Sequence, residues 1–129
     1  MKGKKIRVLV IDDETMITKV LKGFLDDHGF SVRTASNGAD GLRLISSERF
    51  DAAIVDIRLP DMEGDEVIVK ASVLQPGVKF FIHTGSIDYA PSADLLTLGV
   101  GPESIIHKPV IDMGEICGMI ERKVGGNRA

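Results

Sequence analysis

The stretch Ile6-Arg7-Val8-Leu9-Val10-Ile11-Asp12-Asp13-Glu14 decides the fold. From Ile6 to Ile11 it is rich in β-branched residues and apolar enough to be a strand buried on both faces, as strands of a parallel sheet are. It stops abruptly on consecutive carboxylates. Behind it Ile17, Val20, Leu21, Phe24 and Leu25 recur at steps of three and four, which predicts a helix with one apolar face. Gly29 closes that helix. A buried strand, an acidic stop and an amphipathic helix make the first half of a βαβ unit.

The same cadence repeats downstream. Ser31 to Ala35 is a weaker second strand. Asn37-Gly38 marks a turn, and Leu42 and Ile45 belong to a second helix ending near Arg49. Ala52 to Val55 is an apolar strand stopped by Asp56. Leu59-Pro60-Asp61-Met62-Glu63-Gly64 is loop, and Val67, Ile68, Ala71 and Leu74 form a third helix closed near Pro76-Gly77. Val78 to His83 is a fourth strand, and Leu95, Leu96 and Leu98 mark a short fourth helix after Pro91. Ser104 to His107 is a fifth strand. Asp112 can cap a last helix, with Glu115 three residues on as in a capping box. Its inner stripe is Met113, Ile116, Cys117, Ile120 and Val124. Strands alternating with helices predict an α/β fold: a doubly wound five-stranded parallel sheet, (βα)5, joined by right-handed crossovers. One domain is expected over residues 1–124, with 125–129 a C-terminal tail and no output domain in the chain.

Composition agrees with one globular core. The chain has 129 residues, 43% hydrophobic and 27% charged, which excludes disordered, collagenous and disulfide-scaffold classes. The 16 Lys and Arg stand against 19 Asp and Glu, a net charge of -3. That balance carries no domain-wide basic footprint, so direct nucleic-acid binding is not expected. Cys117 is the only cysteine, which excludes an intramolecular disulfide and a Cys-rich zinc site; its place on the helix stripe makes it a core residue. No apolar run is long enough to span a membrane. The basic start from Met1 to Lys5 is followed by too short an apolar run for a signal peptide, so a cytoplasmic location is expected.

Ligands of an open parallel sheet bind beyond the carboxyl ends of its strands. The first strand ends in Asp12-Asp13-Glu14, the third in Asp56, the fourth in His83-Thr84-Gly85-Ser86 and the fifth in Lys108-Pro109. Carboxylates, a hydroxyl and an ammonium therefore meet at one edge. Clustered carboxylates repel one another and favour a bound cation; hard oxygen ligands suit Mg²⁺. A lysine and a threonine hydroxyl can bind the remaining oxygens of a phosphoryl group. Phosphoryl transfer to an aspartate nucleophile is the chemistry this set suggests. Taken singly, each residue also has a structural explanation. Asp12 and Asp13 can cap the first helix, Asp56 can be a turn residue, Thr84 and Ser86 can cap the fourth helix, and Lys108 can be a surface lysine. The histidines 28, 83 and 107 are scattered and read as structural.

With these residues quoted, the chain resembles the receiver domain of bacterial two-component response regulators, of the chemotaxis-regulator type. Val8 to Glu14, Ile54 to Gly64, His83 to Ser86 and Lys108-Pro109 carry the likeness in order, over essentially the whole chain. The resemblance implies a flavodoxin-like fold and a signalling domain rather than a conventional enzyme. It implies Asp56 as phosphoacceptor, and Asp12 and Asp13 as the acidic pair placing Mg²⁺, Asp13 more directly. The Arg58 backbone carbonyl is implied as a further metal ligand beside Asp56. Thr84 would bind a phosphoryl oxygen, and Lys108 would pair with the phosphoryl group and, before it, with Asp56. A cis peptide before Pro109 is implied as well. Arg58 and Ser86, two residues beyond the key Asp and Thr, would tune how long the phosphate lasts. The implied partners are a sensor histidine kinase or histidine phosphotransfer protein and an unspecified output partner, with no membrane involved. Ile105 departs from the family, which commonly has Tyr or Phe there, so signal transmission through strand five is expected to be weak.

Two other classes share part of this residue set. A haloacid-dehalogenase-type Mg²⁺-dependent phosphohydrolase would also use a strand-end Asp56 nucleophile, but needs an acid two residues later, where Arg58 stands. A flavodoxin-like electron carrier lacks support from the single Tyr, the absence of Trp and the missing phosphate loop after the first strand.

Overall fold

The computed structural model describes residues 5–109 and 112–125. The strands are β1 (Arg7–Ile11), β2 (Ser31–Ala35), β3 (Ala52–Asp56), β4 (Lys79–Thr84) and β5 (Ile105–His107). The helices are α1 (Thr15–Asp27), α2 (Gly38–Ser47), α3 (Gly64–Leu74), α4 (Ala93–Thr97) and α5 (Met113–Gly125). All strand pairs are parallel, in the order β2-β1-β3-β4-β5.

That order reverses direction once, after β2. With right-handed crossovers throughout, the reversal sends α1 to one face of the sheet and α2, α3 and α4 to the other. The core divides accordingly. Val8, Val10, Ala52, Ile54 and Phe81 pack with Leu21, Leu25, Ile116, Cys117, Ile120 and Val124 from α1 and α5. Leu9, Ile11, Ala53, Val55 and Ile82 pack with Ile45, Val67, Ile68, Ala71 and Leu95 from the other helices. Alternate residues of one strand thus feed opposite faces, as the two-residue strand period requires. Cys117 lies in the core as its place on the stripe predicts.

Local signals set most boundaries. Gly29 follows α1 at φ +90. Its N–H bonds Asp26 O while the Phe30 N–H reaches back to Leu25 O, a Schellman stop that a left-handed glycine makes possible. Asn37 caps α2 by accepting from the Asp40 N–H. Asp112 Oδ1 accepts the Gly114 N–H at the start of α5, so the cap expected there is present. The fourth helix is short, as expected, with five residues. Several strand boundaries move: Ile6 lies outside β1, Asp56 is the last residue of β3, and Thr84 belongs to β4 while Val78 does not. Ser104 sits in a 3-10 turn, Pro102–Ser104, ahead of β5. Proline at the head of that turn favours tight helical geometry over an extended strand. Of the tail expected from residue 125, Gly125 closes α5 and 126–129 lie outside the described residues. Among the described residues no helix is long and apolar enough to cross a membrane.

Candidate functional site

The strand order reverses between β1 and β3, and that crevice is where ligands of doubly wound sheets sit. β3 ends there on Asp56, and β1 is followed directly by Asp12 and Asp13. Oxygen atoms from Asp12, Asp13 and Asp56 all lie within 4.8 Å of one another. Asp12 and Asp56 are 2% and 8% exposed, whereas Asp13 faces solvent. Asp12 Oδ1 accepts the Glu14 N–H at 2.9 Å. Asp12 Oδ2 is buried and has no well-formed hydrogen bond among the described residues; Lys108 Nζ stands 3.2 Å away as an ion-pair partner. The alternative role of Asp12 and Asp13 as helix caps does not hold: the residue capping α1 is Glu14, with no side-chain cap bond.

Lys108 enters from the end of β5, where its N–H bonds Thr84 O at 2.8 Å. Its ammonium lies 3.5 Å from Asp56 Oδ1 and donates a 2.7 Å hydrogen bond to Glu14 Oε1. The pairing with Asp56 implied by the resemblance is present, but it is the longest of three carboxylate contacts. The Lys108-Pro109 peptide is cis, as the resemblance implied. Thr84 is 4% exposed, and its hydroxyl accepts the Ser86 N–H at 3.0 Å. Neither Thr84 nor Ser86 caps α4; Ser92 does, accepting the Leu95 N–H.

The charges influence one another. Burial pushes the Asp56 carboxyl above its ordinary value, and the Asp12 charge adds to this against the opposing pull of Lys108. Burial also opposes ionisation of Asp12, but the His83 ring, the Glu14 N–H and Lys108 together outweigh it and hold Asp12 low. Burial would lower Lys108, yet Glu14, Asp12 and Asp56 raise it. One carboxylate is thus firmly ionised beside the ammonium, and a second is kept in tension with it.

An open cleft of 640 Å³ lies over these groups, lined among others by Asp13, Asp56, Arg58, Thr84 and Lys108. Arg58 is exposed, and its backbone pairs with Glu63 across the short turn between β3 and α3. Gly64 closes that turn. A side chain there would overlap the Asp56 carbonyl oxygen, so only glycine lets α3 start against the β3 end. Ile105 is half-buried against the core.

The sequence placed Glu14 and His83 at strand ends without assigning them a role, and it did not single out Tyr89. Glu14 is the hydrogen-bonding partner of Lys108. His83 stands behind Asp12 with Nδ1 3.7 Å from Asp12 Oδ2, its ring nitrogens buried without hydrogen bonds. Tyr89 lines the cleft from the β4–α4 connection. The acidic run at 12–14 and the strand-four end at His83 pointed to the first two; no local signal marks Tyr89.

The donor set fits a hard divalent cation: oxygen ligands, one of them a buried carboxylate oxygen without a well-formed hydrogen bond. Comparison with known proteins agrees with this geometry. The family model described as "Response regulator receiver domain" matches residues 8–121. The Escherichia coli (strain K12) transcriptional regulatory protein GlrR is 36% identical over 112 residues, covering 85% of this chain and 24% of its own length. The chain therefore spans about a quarter of that relative. A CheY-like response regulator receiver domain protein from Methanospirillum hungatei JF-1 superposes with a TM-score of 0.87 at 34% identity, over 97% of this chain and 98% of the other. The response regulator TrrA from Thermotoga maritima, solved in complex with Mg(2+)-BeF, gives a TM-score of 0.79 at 25% identity, over 92% and 98% of the two chains.

Proposed function

Because this chain belongs to the response regulator receiver domain family, we propose that Asp56 is its phosphoacceptor and that phosphorylation there changes which partner the domain binds. The observation that carries the reading is the Asp56 carboxylate at the β3 end, held beside Asp12, Asp13 and the Lys108 ammonium in an open cleft. A carboxylate oxygen of Asp56 attacks the phosphorus of a phosphohistidine; the P–O bond forms as the P–N bond breaks, and the histidine leaves. Lys108 offsets the negative charge gathering on the phosphoryl oxygens. The Thr84 hydroxyl, whose oxygen accepts the Ser86 N–H, donates its proton to a phosphoryl oxygen.

Asp12, Asp13, Asp56 and the Arg58 carbonyl would hold Mg²⁺. When bound, the ion supplies charge neutralisation for the phosphoryl oxygens. Its identity rests on the all-oxygen donor set and on the Mg²⁺ of the TrrA structure. The phosphodonor is a sensor histidine kinase or a histidine phosphotransfer protein, and the reading places the domain in the cytoplasm as a signalling unit rather than an enzyme acting on external substrates. The output partner is a separate protein or an attached domain. The haloacid-dehalogenase alternative is not favoured: two residues past Asp56 stands Arg58, which has no proton to give usefully.

Acetyl phosphate with Mg²⁺ should add one phosphoryl group at Asp56, seen by intact mass spectrometry as an alkali-labile adduct. Asp56→Asn keeps the shape and loses the nucleophile, so undiminished labelling of that variant overturns the assignment.

A further inference from the structure

The β4–α4 connection carries an aromatic side chain that phosphoryl transfer as described does not use. Tyr89 is the only tyrosine in the chain. Its ring is half-buried against the α2-α3-α4 side of the core and forms part of the wall of the cleft over Asp56. Its hydroxyl donates to Asp65 Oδ1 at 2.8 Å. Asp65 lies in the first turn of α3, directly after Gly64, whose N–H bonds Ile57 O at 2.6 Å. The tyrosine is thus moored to the helix that starts on the phosphoacceptor's own backbone. Little else holds this stretch of chain. Gly85, Ser86, Ile87 and Asp88 are exposed, Ile87 to 85%, and the Tyr89 N–H reaches Ser86 O only at 3.5 Å. Burial and the Asp65 charge hold the phenol pKa well above its ordinary value, so the hydroxyl stays a donor.

We propose that Tyr89, moored by Asp65, is a positioning residue of the phosphoacceptor cleft: its ring limits water access to the phosphoryl group on Asp56 and so sets how long it lasts. The proposal rests on the reading of Asp56 given above. In the step concerned, a water oxygen bonds to phosphorus, the P–O bond to Asp56 breaks, and both water hydrogens leave on the inorganic phosphate. Asp56 returns as a carboxylate. Tyr89 takes no part in the bond changes; it acts on how often water reaches the far side of the phosphorus.

The test follows decay of the phosphorylated protein by intact mass after the acetyl phosphate is removed. Tyr89→Phe keeps the ring and loses the mooring; Asp65→Ala removes the acceptor. Loss of one such hydrogen bond corresponds to about three- to tenfold faster decay in each. The double variant should decay no faster than either single one, because both remove the same contact. Asp65→Asn retains an oxygen acceptor and should stay within about twofold of the parent. Decay of Tyr89→Phe at the parent rate, or additive acceleration in the double variant, overturns the proposal. If Asp65→Ala does not fold, Tyr89→Phe against Asp65→Asn decides by the same criterion. Absence of label on the parent, or full label on Asp56→Asn, overturns the reading of Asp56 instead, so the two failures are distinct.

Discussion

Replacing Gly64 with alanine tests how tightly α3 is seated on the strand that ends in Asp56. A Cβ at Gly64 would overlap the Asp56 carbonyl oxygen and stand 2.9 Å from Ile57 Cα and 3.0 Å from the Asp56 carbonyl carbon. All three are backbone atoms at the end of a buried strand, so no side-chain rotation relieves the clash. The first turn of α3 must lift, stretching the Gly64 N–H to Ile57 O bond of 2.6 Å. Overpacking of this kind costs about 1–3 kcal/mol, and the weakened hydrogen bond adds up to about 1 kcal/mol. The better helix propensity of alanine offsets about 0.5–1 kcal/mol. The net expectation is a loss of about 1–3 kcal/mol, or a melting temperature lowered by roughly 4–12 °C for a domain of this size. Gly23 is the internal control. It lies exposed within α1, and a Cβ there would meet nothing within 4 Å beyond its chain neighbours and its own helix backbone. Gly23→Ala should stabilise by about 0.5–1 kcal/mol. The same substitution at two helical glycines thus has opposite signs in one thermal unfolding assay. Lifting α3 also displaces the Ile57–Arg58 backbone, so Mg²⁺ affinity, read by titration calorimetry, should fall in Gly64→Ala and hold in Gly23→Ala. Gly64→Ala melting at or above the parent, with unchanged Mg²⁺ affinity, would refute the close-seating argument.

Asp61 accepts the Gly38 and Ala39 N–H groups at the start of α2, at 2.8 and 2.9 Å, and these bonds hold its carboxyl below the ordinary value of 3.8. Its contribution is therefore complete above about pH 5 and fades only as pH falls through the depressed folded-state value; Asp61→Asn should flatten the acid limb of a stability–pH curve, and an unchanged limb would count against the cap. Gln75 accepts from the Phe50 N–H and donates to Ile45 O and Glu48 O. Gln75→Ala should cost about 2–3 kcal/mol in denaturant unfolding, and a loss under about 0.5 kcal/mol would show these bonds to be exchanged freely for water. Arg58 lines the cleft exposed; phosphorylated Arg58→Ala should lose its label faster than the parent, and equal rates would reduce Arg58 to a solvated side chain. Beryllofluoride should shift amide signals from Gly85 to Leu98 more than that of Ile105, whose β-branched side chain is stiff at χ1; large shifts centred on Ile105 and abolished by Ile105→Val would reverse that order.

The elements and the residues that end them were legible in the chain because both are local properties. Apolar runs such as Val8 to Ile11 and Ala52 to Val55 mark buried strands, steps of three and four mark helices, and a charge at a strand's end lies beside the run that identifies it. Once the strands are parallel, Asp12, Asp56, Thr84 and Lys108 must share an edge, whatever the packing details. Family likeness then attached roles to those positions. Apart from the Lys108–Asp56 pair, which the family likeness implied, the long-range partners were not legible. Lys108 bonds Glu14 across 94 positions, Tyr89 bonds Asp65 across 24, and Asp61 caps a helix that begins 23 residues earlier. Such pairs depend on how far each helix slides along the sheet and how each loop returns. Those quantities are settled by the fit of buried side chains on the two faces, to which no single window of sequence gives access. Gly64 is the sharpest case: it is an ordinary loop glycine in sequence, and only the approach of α3 to the Asp56 carbonyl makes the missing Cβ a requirement.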